Sequence, residues 1–286
     1  MSISRRKFMK ELGVGLGLSL AYGIFKTQKT SAEASPSSNA VMYDITKCVG
    51  CRTCEMACQD HNHLPQHETI SEEAYWDNPR EMEANVYTIV KIKRLDSENN
   101  ERRFVKWQCM HCVEPTCTTV CPTSALYKTE EGPVLYDGTR CIGCQYCIGA
   151  CPFSVPRFDW HDGRVVTKCT MCADRQAEGL QPACVANCPS GALQFGDRES
   201  ILAKVQAAED KGLYVYGKDE AGGTAWIYVS DIPFYELGFP PVDSESFPEH
   251  SQDVFGAQMA TILGGAAVIG LYSLYLRRKK IEEEQK

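Results

Sequence analysis

The longest uniform stretch of this chain is apolar. Residues 254–276 (VFGAQMATILGGAAVIGLYSLYL) carry no charge, Gln258 is their one strongly polar side chain, and Arg277, Arg278, Lys279 and Lys280 follow at once. As a helix rising about 1.5 Å per residue, the stretch reaches about 34 Å, enough for a bilayer core of about 30 Å. Tyr272 and Tyr275 stand where interfacial aromatics belong. The pattern predicts a membrane-spanning helix with 277–286 as a cytoplasmic tail, which places the preceding domain on the outer side. Upstream, Ile201, Leu202, Val205 and Ala208 recur at helical spacing, with Asp197 at the N-cap position. "LYVYG" and "TAWIYVS" alternate as two strands joined by a glycine-bearing loop. The proline-rich, polar stretch 231–253 reads as an extended lead into the terminal helix.

At the other end, Arg5 and Arg6 precede Phe8, Lys10 and an apolar, glycine-rich run over 12–25, too short for a comfortable span. This start resembles a twin-arginine export signal, with Met9 where leucine is commoner, and "AEA" at 32–34 offers a small-residue cleavage site. Residues 1–34 are therefore expected to be a signal peptide. Both ends place the body of the chain on the outer face of an inner membrane.

Composition changes the picture in one respect. A 43% hydrophobic and 23% charged chain of 286 residues is ordinary for a globular protein, and its net charge of −7 argues against nucleic-acid binding. The sixteen cysteines are not ordinary, and all lie between Cys48 and Cys188. They form four groups: Cys48, Cys51, Cys54, Cys58; Cys109, Cys112, Cys117, Cys121; Cys141, Cys144, Cys147, Cys151; and Cys169, Cys172, Cys184, Cys188. Proline follows the last cysteine of every group but the first, where Gln59 takes its place.

A [4Fe–4S] cluster needs four converging thiolates. A C-x2-C-x2-C loop wraps one corner of a cubane, its backbone N–H groups can face the sulfides, and Gly50 and Gly143 suit the tight wrap. Structural zinc prefers two CxxC pairs, and disulfides cannot easily join neighbours in one tight loop. The spacing therefore predicts four [4Fe–4S] clusters. The fourth cysteine of each run is expected to serve a neighbouring run's cluster, as in two-cluster ferredoxins. The expected sets are Cys48, Cys51, Cys54 with Cys188; Cys169, Cys172, Cys184 with Cys58; Cys109, Cys112, Cys117 with Cys151; and Cys141, Cys144, Cys147 with Cys121. Cys58, without its proline, is the least constrained of these.

"CPTSAL" (121–126) and "CPSGAL" (188–193) repeat one segment, and "CPFSVP" (151–156) diverges from it. Groups two and three are contiguous, and groups one and four flank them. The expected fold class is α+β: two interleaved ferredoxin-like units plus a single C-terminal transmembrane helix. The outer unit is read as 35–105 with 160–200, the inserted unit as 106–159, and 201–253 as a C-terminal extension.

The segments "YDITKCVGCRTCEMACQ", "QCMHCVEPTCTTVCPTSAL", "CIGCQYCIGACPFSVPRFDW" and "KCTMCADR…PACVANCPSGAL" together resemble four-cluster electron-transfer subunits of respiratory oxidoreductases. The tail "YGKDEAGGTAWIYVSDIPFYELGFPP" with one terminal span is similar to beta subunits of periplasm-facing formate dehydrogenases and to the ferredoxin-type subunit of quinone-coupled periplasmic nickel–iron hydrogenases. "DIPFYELGFP" and the twin-arginine start favour the hydrogenase type. Some relatives carry tryptophan at the position of Cys144 and a [3Fe–4S] cluster there, so the cysteine here implies four cubanes. The resemblance implies a non-catalytic subunit that carries electrons between a catalytic partner, of hydrogenase or molybdopterin type, and a quinone-reactive membrane partner. A free-standing ferredoxin-like carrier is the alternative of another class.

Among other residues, His61, His63 and His67 read as solvated, His111 as a neighbour of a cluster rather than a ligand, and Trp107 and Trp160 as packing aromatics. Lys106, Lys168 and Arg140 flank the ligand runs, either as solvated charges or as cations that tune a cluster.

Overall fold

The structure, a computed structural model, describes residues 38–65, 82–96, 101–160 and 165–284. The proposed signal at 1–34 lies outside them, as does His67. Chain order runs β1 (Asn39–Asp44), a 3-10 turn (Ile45–Lys47), α1 (Thr53–His61), β2 (Thr88–Asp96), β3 (Glu101–Gln108), α2 (Thr116–Thr119), β4 (Leu126–Lys128) and β5 (Val134–Tyr136). It continues with α3 (Tyr146–Ala150), β6 (Arg157–Asp159), β7 (Val165–Thr167), α4 (Ala173–Ala177), α5 (Ala183–Ala186) and β8 (Leu193–Asp197). The last elements are α6 (Arg198–Glu209), β9 (Tyr214–Tyr216), β10 (Trp226–Ser230) and α7 (Phe247–Glu284).

One four-stranded sheet, in the order β8-β1-β10-β9, organises the cysteine-bearing segments. β1 is parallel to β10 and antiparallel to β8. Strand alternation sends its residues to two different cores. Ala40, Met42, Ile227 and Val229 face α6 and pack with Ile201 and Val205. Val41, Tyr43, Trp226 and Tyr228 face the opposite way, into the core that also holds Cys109, Cys169 and Cys184. The helix read from Ile201, Leu202, Val205 and Ala208 is α6, and the Asp197 carboxylate caps it by accepting from Ser200 N at 2.8 Å.

The two alternating segments near the C-terminus form β9 and β10, an antiparallel pair. They complete the same sheet as β1 and β8, within the compact unit Ala32–Pro248. The lead 231–253 is not simply extended and polar. Phe234, Leu237 and Phe239 are buried, and Phe239 meets Tyr216, Tyr228 and Trp107 with ring centroids 4.7, 5.0 and 4.9 Å away. Aromatic burial without a helix or strand period explains why its alternation looked merely polar.

The three remaining sheets are hairpin-like pairs, β2-β3, β4-β5 and β6-β7. β4, β6 and β8 each begin a few residues after the last cysteine of groups two, three and four. The helix α7 covers the apolar stretch 254–276, part of whose side chains lie outside the description. Among the described residues no helix is long and apolar enough to cross a membrane.

Candidate iron–sulfur site

The thiols meet because short helices carry them together. α1, which bears Cys54 and Cys58, packs on α5, which bears Cys184. α2, with Cys117, packs on α3, with Cys147. All sixteen cysteines are free of disulfides, and among the described residues no three of His, Cys, Asp and Glu close on a single metal ion.

Two cavities lie between α1 and the segments of group four. The first is lined by Cys48, Cys51, Cys54 and Cys188, together with Tyr43 and Lys106. The second is lined by Cys58, Cys169, Cys172 and Cys184, with Thr88, Lys106 and Trp226. Each is thus walled by three thiols of one run and the fourth of its distant partner. Four soft thiolate donors around a cavity of this kind fit an iron–sulfur cluster better than one tetrahedral ion.

The other eight cysteines sort by their mutual charge repulsion. Burial pushes the Cys112 thiol well up, and Cys109, Cys151 and Cys117 add to the rise. Burial raises Cys147 to about 11, with further contributions from Cys144, Cys121 and Cys141. The neighbours again comprise three cysteines of one run and the fourth of the other. The groups also touch in sequence. Cys54, raised by burial to about 12, feels Cys184 across the first two sets. Cys169, raised by burial, feels Cys109. Cys117, raised by burial to about 12, feels Cys147. Each set thus neighbours the next, in the order first cavity, second cavity, the Cys109 set and the Cys141 set.

The position before the second cysteine is left-handed in all four runs. Gly50 and Gly143 have φ of +69° and +72°, where glycine costs nothing. His111 and Met171 take φ of +48° and +57° in the other two runs, an unfavourable state for side-chain-bearing residues that a tight wrap holds in place. Nothing in their side chains announces this; only their place in the CxxC spacing does. Gly143 N donates to Cys141 Sγ at 3.4 Å and Met171 N to Cys169 Sγ at 3.3 Å.

The proline after the fourth cysteine has a consequence that spacing alone did not reveal. Burial pushes Cys121 up, but N–H groups of Leu126, Thr123 and Ala125 and the Thr123 hydroxyl outweigh it and hold the thiol below its ordinary value. At Cys188 the N–H groups of Leu193, Ala192 and Ser190 and the Ser190 hydroxyl likewise overcome burial. Cys151 receives Val155, Phe153 and Ser154 N–H groups, although burial keeps it raised. The C-P-x-x-x segment thus curls a nest of backbone donors around a sulfur, which favours the thiolate. Cys58 lacks this turn. It lies inside α1, where Asn62 Nδ2 donates to its carbonyl at 2.8 Å and lies 3.5 Å from its sulfur.

Of the flanking residues, Lys106 and Lys168 are buried, whereas Arg140 is exposed and pairs with Asp137 at 3.1 Å. His111 is buried beside group two; its Nδ1 accepts from Val134 N at 2.9 Å, and burial, with Lys168 and Lys128 nearby, holds its pKa well below the usual range. Its ring is therefore neutral. His63 is exposed, while His61 is half-buried and meets Asp174 at 2.9 Å. Trp107 packs on Phe239, but Trp160 is 78% exposed and touches Phe158. Trp160 is thus no core residue.

A family model described as a 4Fe-4S dicluster domain matches residues 101–198. The hydrogenase-2 operon protein HybA of Escherichia coli O157:H7 is 30% identical over 96% of this chain and 95% of its own length. The chain belongs to the ferredoxin-type iron–sulfur subunits of respiratory oxidoreductases. Further proteins are similar to it as well. A protein of Nitratidesulfovibrio vulgaris (strain Hildenborough) is 36% identical over 99% of this chain and 80% of its own length. The formate dehydrogenase-O iron-sulfur subunit of Escherichia coli (strain K12) is 36% identical over 70% of each chain. As a ferredoxin-type subunit the chain is an electron-transfer protein that uses [4Fe–4S] chemistry.

Proposed function

We propose that this subunit relays single electrons through four [4Fe–4S] clusters, each held by the interlaced set of cysteines described above. The observation that carries the reading is the pair of cavities, each walled by three cysteines of one run and one of its partner. The chain's part is to hold and space the clusters: packing of α1 on α5 and of α2 on α3 sets adjacent sets side by side. Bound clusters supply reversible one-electron storage. Cys51 in the first set and Cys144 in the last are exposed, so the row offers an entry at one end and an exit at the other. The subunit itself is non-catalytic.

The partners follow from the same reading. A catalytic subunit of hydrogenase type is favoured, because HybA matches nearly its whole length and the formate dehydrogenase-O subunit matches 70% of its own. A formate dehydrogenase or another molybdopterin oxidoreductase is the second reading. The other end of the row would face a quinone-reactive membrane subunit. Residues 254–276 would cross the inner membrane once, with the iron–sulfur body on the periplasmic side after export by the twin-arginine signal. Exposed Val268, Ile269, Leu271 and Leu274 on α7 support a lipid-facing role, since apolar side chains are unfavourably placed in water.

The test is purification from membranes with the catalytic subunit identified by mass, beside a form lacking 254–286. The intact complex should be brown and membrane-bound, and the shortened chain soluble with its iron retained and its quinone reduction lost. Full quinone coupling without the helix would refute the anchor, and an uncoloured protein would refute the relay.

A further inference from the structure

Lys106 sits on β3 with 1% of its surface exposed, and its side chain lines both outer cavities. Its ammonium donates to Thr88 Oγ1 and, at 2.9 Å, to Gln108 Oε1, and it stands 4.6 Å from the centroid of the Trp226 ring. These partners are uncharged, and no carboxylate of the described residues pairs with Nζ. A buried ammonium without an anion carries a desolvation penalty of several kcal/mol. Thiols of both sets line the same two cavities and would become thiolates on ligating a cluster. Burial works against the charge of Lys106, and Cys184, Cys54, Cys169 and Cys58 outweigh burial, holding its pKa above the ordinary lysine value.

We propose that Lys106 is a counter-charge shared by the two outer clusters: one ammonium between the two cavities that stabilises the reduced state of both and so sets their potentials together. This rests on the reading that those cavities hold clusters. An electron arriving at either site adds one unit of negative charge and no proton. Lys106 keeps its own proton and attracts that charge, the more strongly because the surroundings are dry. Because the cation lies between the two sites, an electron passing from one to the other stays beside it. An equal shift at both sites leaves the difference between their potentials unchanged, so the transfer step between them carries no added cost. The inner sets lie outside the two cavities that Lys106 lines and have their own cation, Lys128, whose Nζ donates to the Cys112 carbonyl at 2.6 Å. They therefore serve as an internal comparison.

The experiment is a potentiometric titration of the purified complex followed by magnetic resonance, for the native subunit, Lys106→Met and Lys106→Arg. The native iron content is read first. About sixteen irons per chain accords with four clusters, and a lower value counts against the four-cluster reading rather than against Lys106. In Lys106→Met, two of the cluster signals should fall in potential together by at least a tenfold change in their reduction equilibrium, about 59 mV for a one-electron couple. The other two should stay in place, and Lys106→Arg should return the shifted pair towards native values. No shift, a shift of one signal alone, or an arginine variant displaced as far as the methionine variant would overturn the proposal. If Lys106→Met loses iron, retention of all iron by Lys106→Arg supports it, and equal loss from both overturns it, because shape and not charge would then be at stake.

Discussion

Gln108 Nε2 donates to the Tyr228 hydroxyl at 2.6 Å, across 120 positions of sequence, and that hydroxyl donates to the Lys106 carbonyl at 3.0 Å. Gln108 in turn accepts from the Lys106 ammonium. One buried phenol thus ties β10, in the middle of the main sheet, to the strand that lines both outer cavities. Tyr228→Phe leaves the Gln108 amide and a backbone carbonyl without this partner, at a cost of about 1–3 kcal/mol. Urea unfolding followed by loss of visible absorbance should show a lower midpoint, and an unchanged midpoint would remove this tie from the account.

Gly50→Ala should disable the first outer set. A Cβ there would lie 2.3 Å from the Phe104 ring, at a φ of +69° that alanine avoids. The expected result is about four fewer irons per chain, one [4Fe–4S] cluster, with the remaining signals intact. Iron analysis beside magnetic resonance checks it; native iron content would show that the loop adapts.

Cys58→Ser tests the exchange of fourth cysteines where the proline is missing. Cys58 lines the second cavity with Cys169, Cys172 and Cys184. The variant should alter the signal of that set and spare the set of Cys48, Cys51 and Cys54. The reverse outcome in the spectrum would mean that each run keeps its own four thiols.

Asp231 joins Arg103 through two hydrogen bonds, at 2.6 Å to Nη2 and 3.1 Å to Nε, and so fastens the turn after β10 to β3. The hydrogen bond and charge of Arg103 hold the Asp231 carboxyl below its ordinary value. A folded-state pKa below the unfolded one stabilises the fold above about pH 4 and loses that effect as pH falls further. Asp231→Asn should therefore lose absorbance faster than the native protein near neutral pH, with the gap closing below about pH 4. The pair is partly exposed, so the gap should also shrink in high salt. A gap independent of pH would assign the effect to packing.

The ligand runs, α6 with its Asp197 cap and the strands β9 and β10 were legible because each is specified by neighbours a few residues apart. Thiol spacing, a 3.6-residue period and strict alternation are local signals. What the tertiary structure decided has long-range causes. Which distant cysteine meets which run depends on α1 packing on α5 and α2 on α3. Lys106 lies in a strand pattern, "FVKWQ", that leaves a solvated lysine and a cluster-tuning one equally open, and only the closure of the Trp226 face over it buries the charge. Phe234 and Phe239 follow no period, so their place in the core could not be read before Tyr216 and Tyr228 were in position. Local spacing determined which chemistry the chain can hold. Packing across more than a hundred residues decided which thiols line each outer cavity and that Lys106 lies beside both, because those energies belong to surfaces that exist only once the chain has folded.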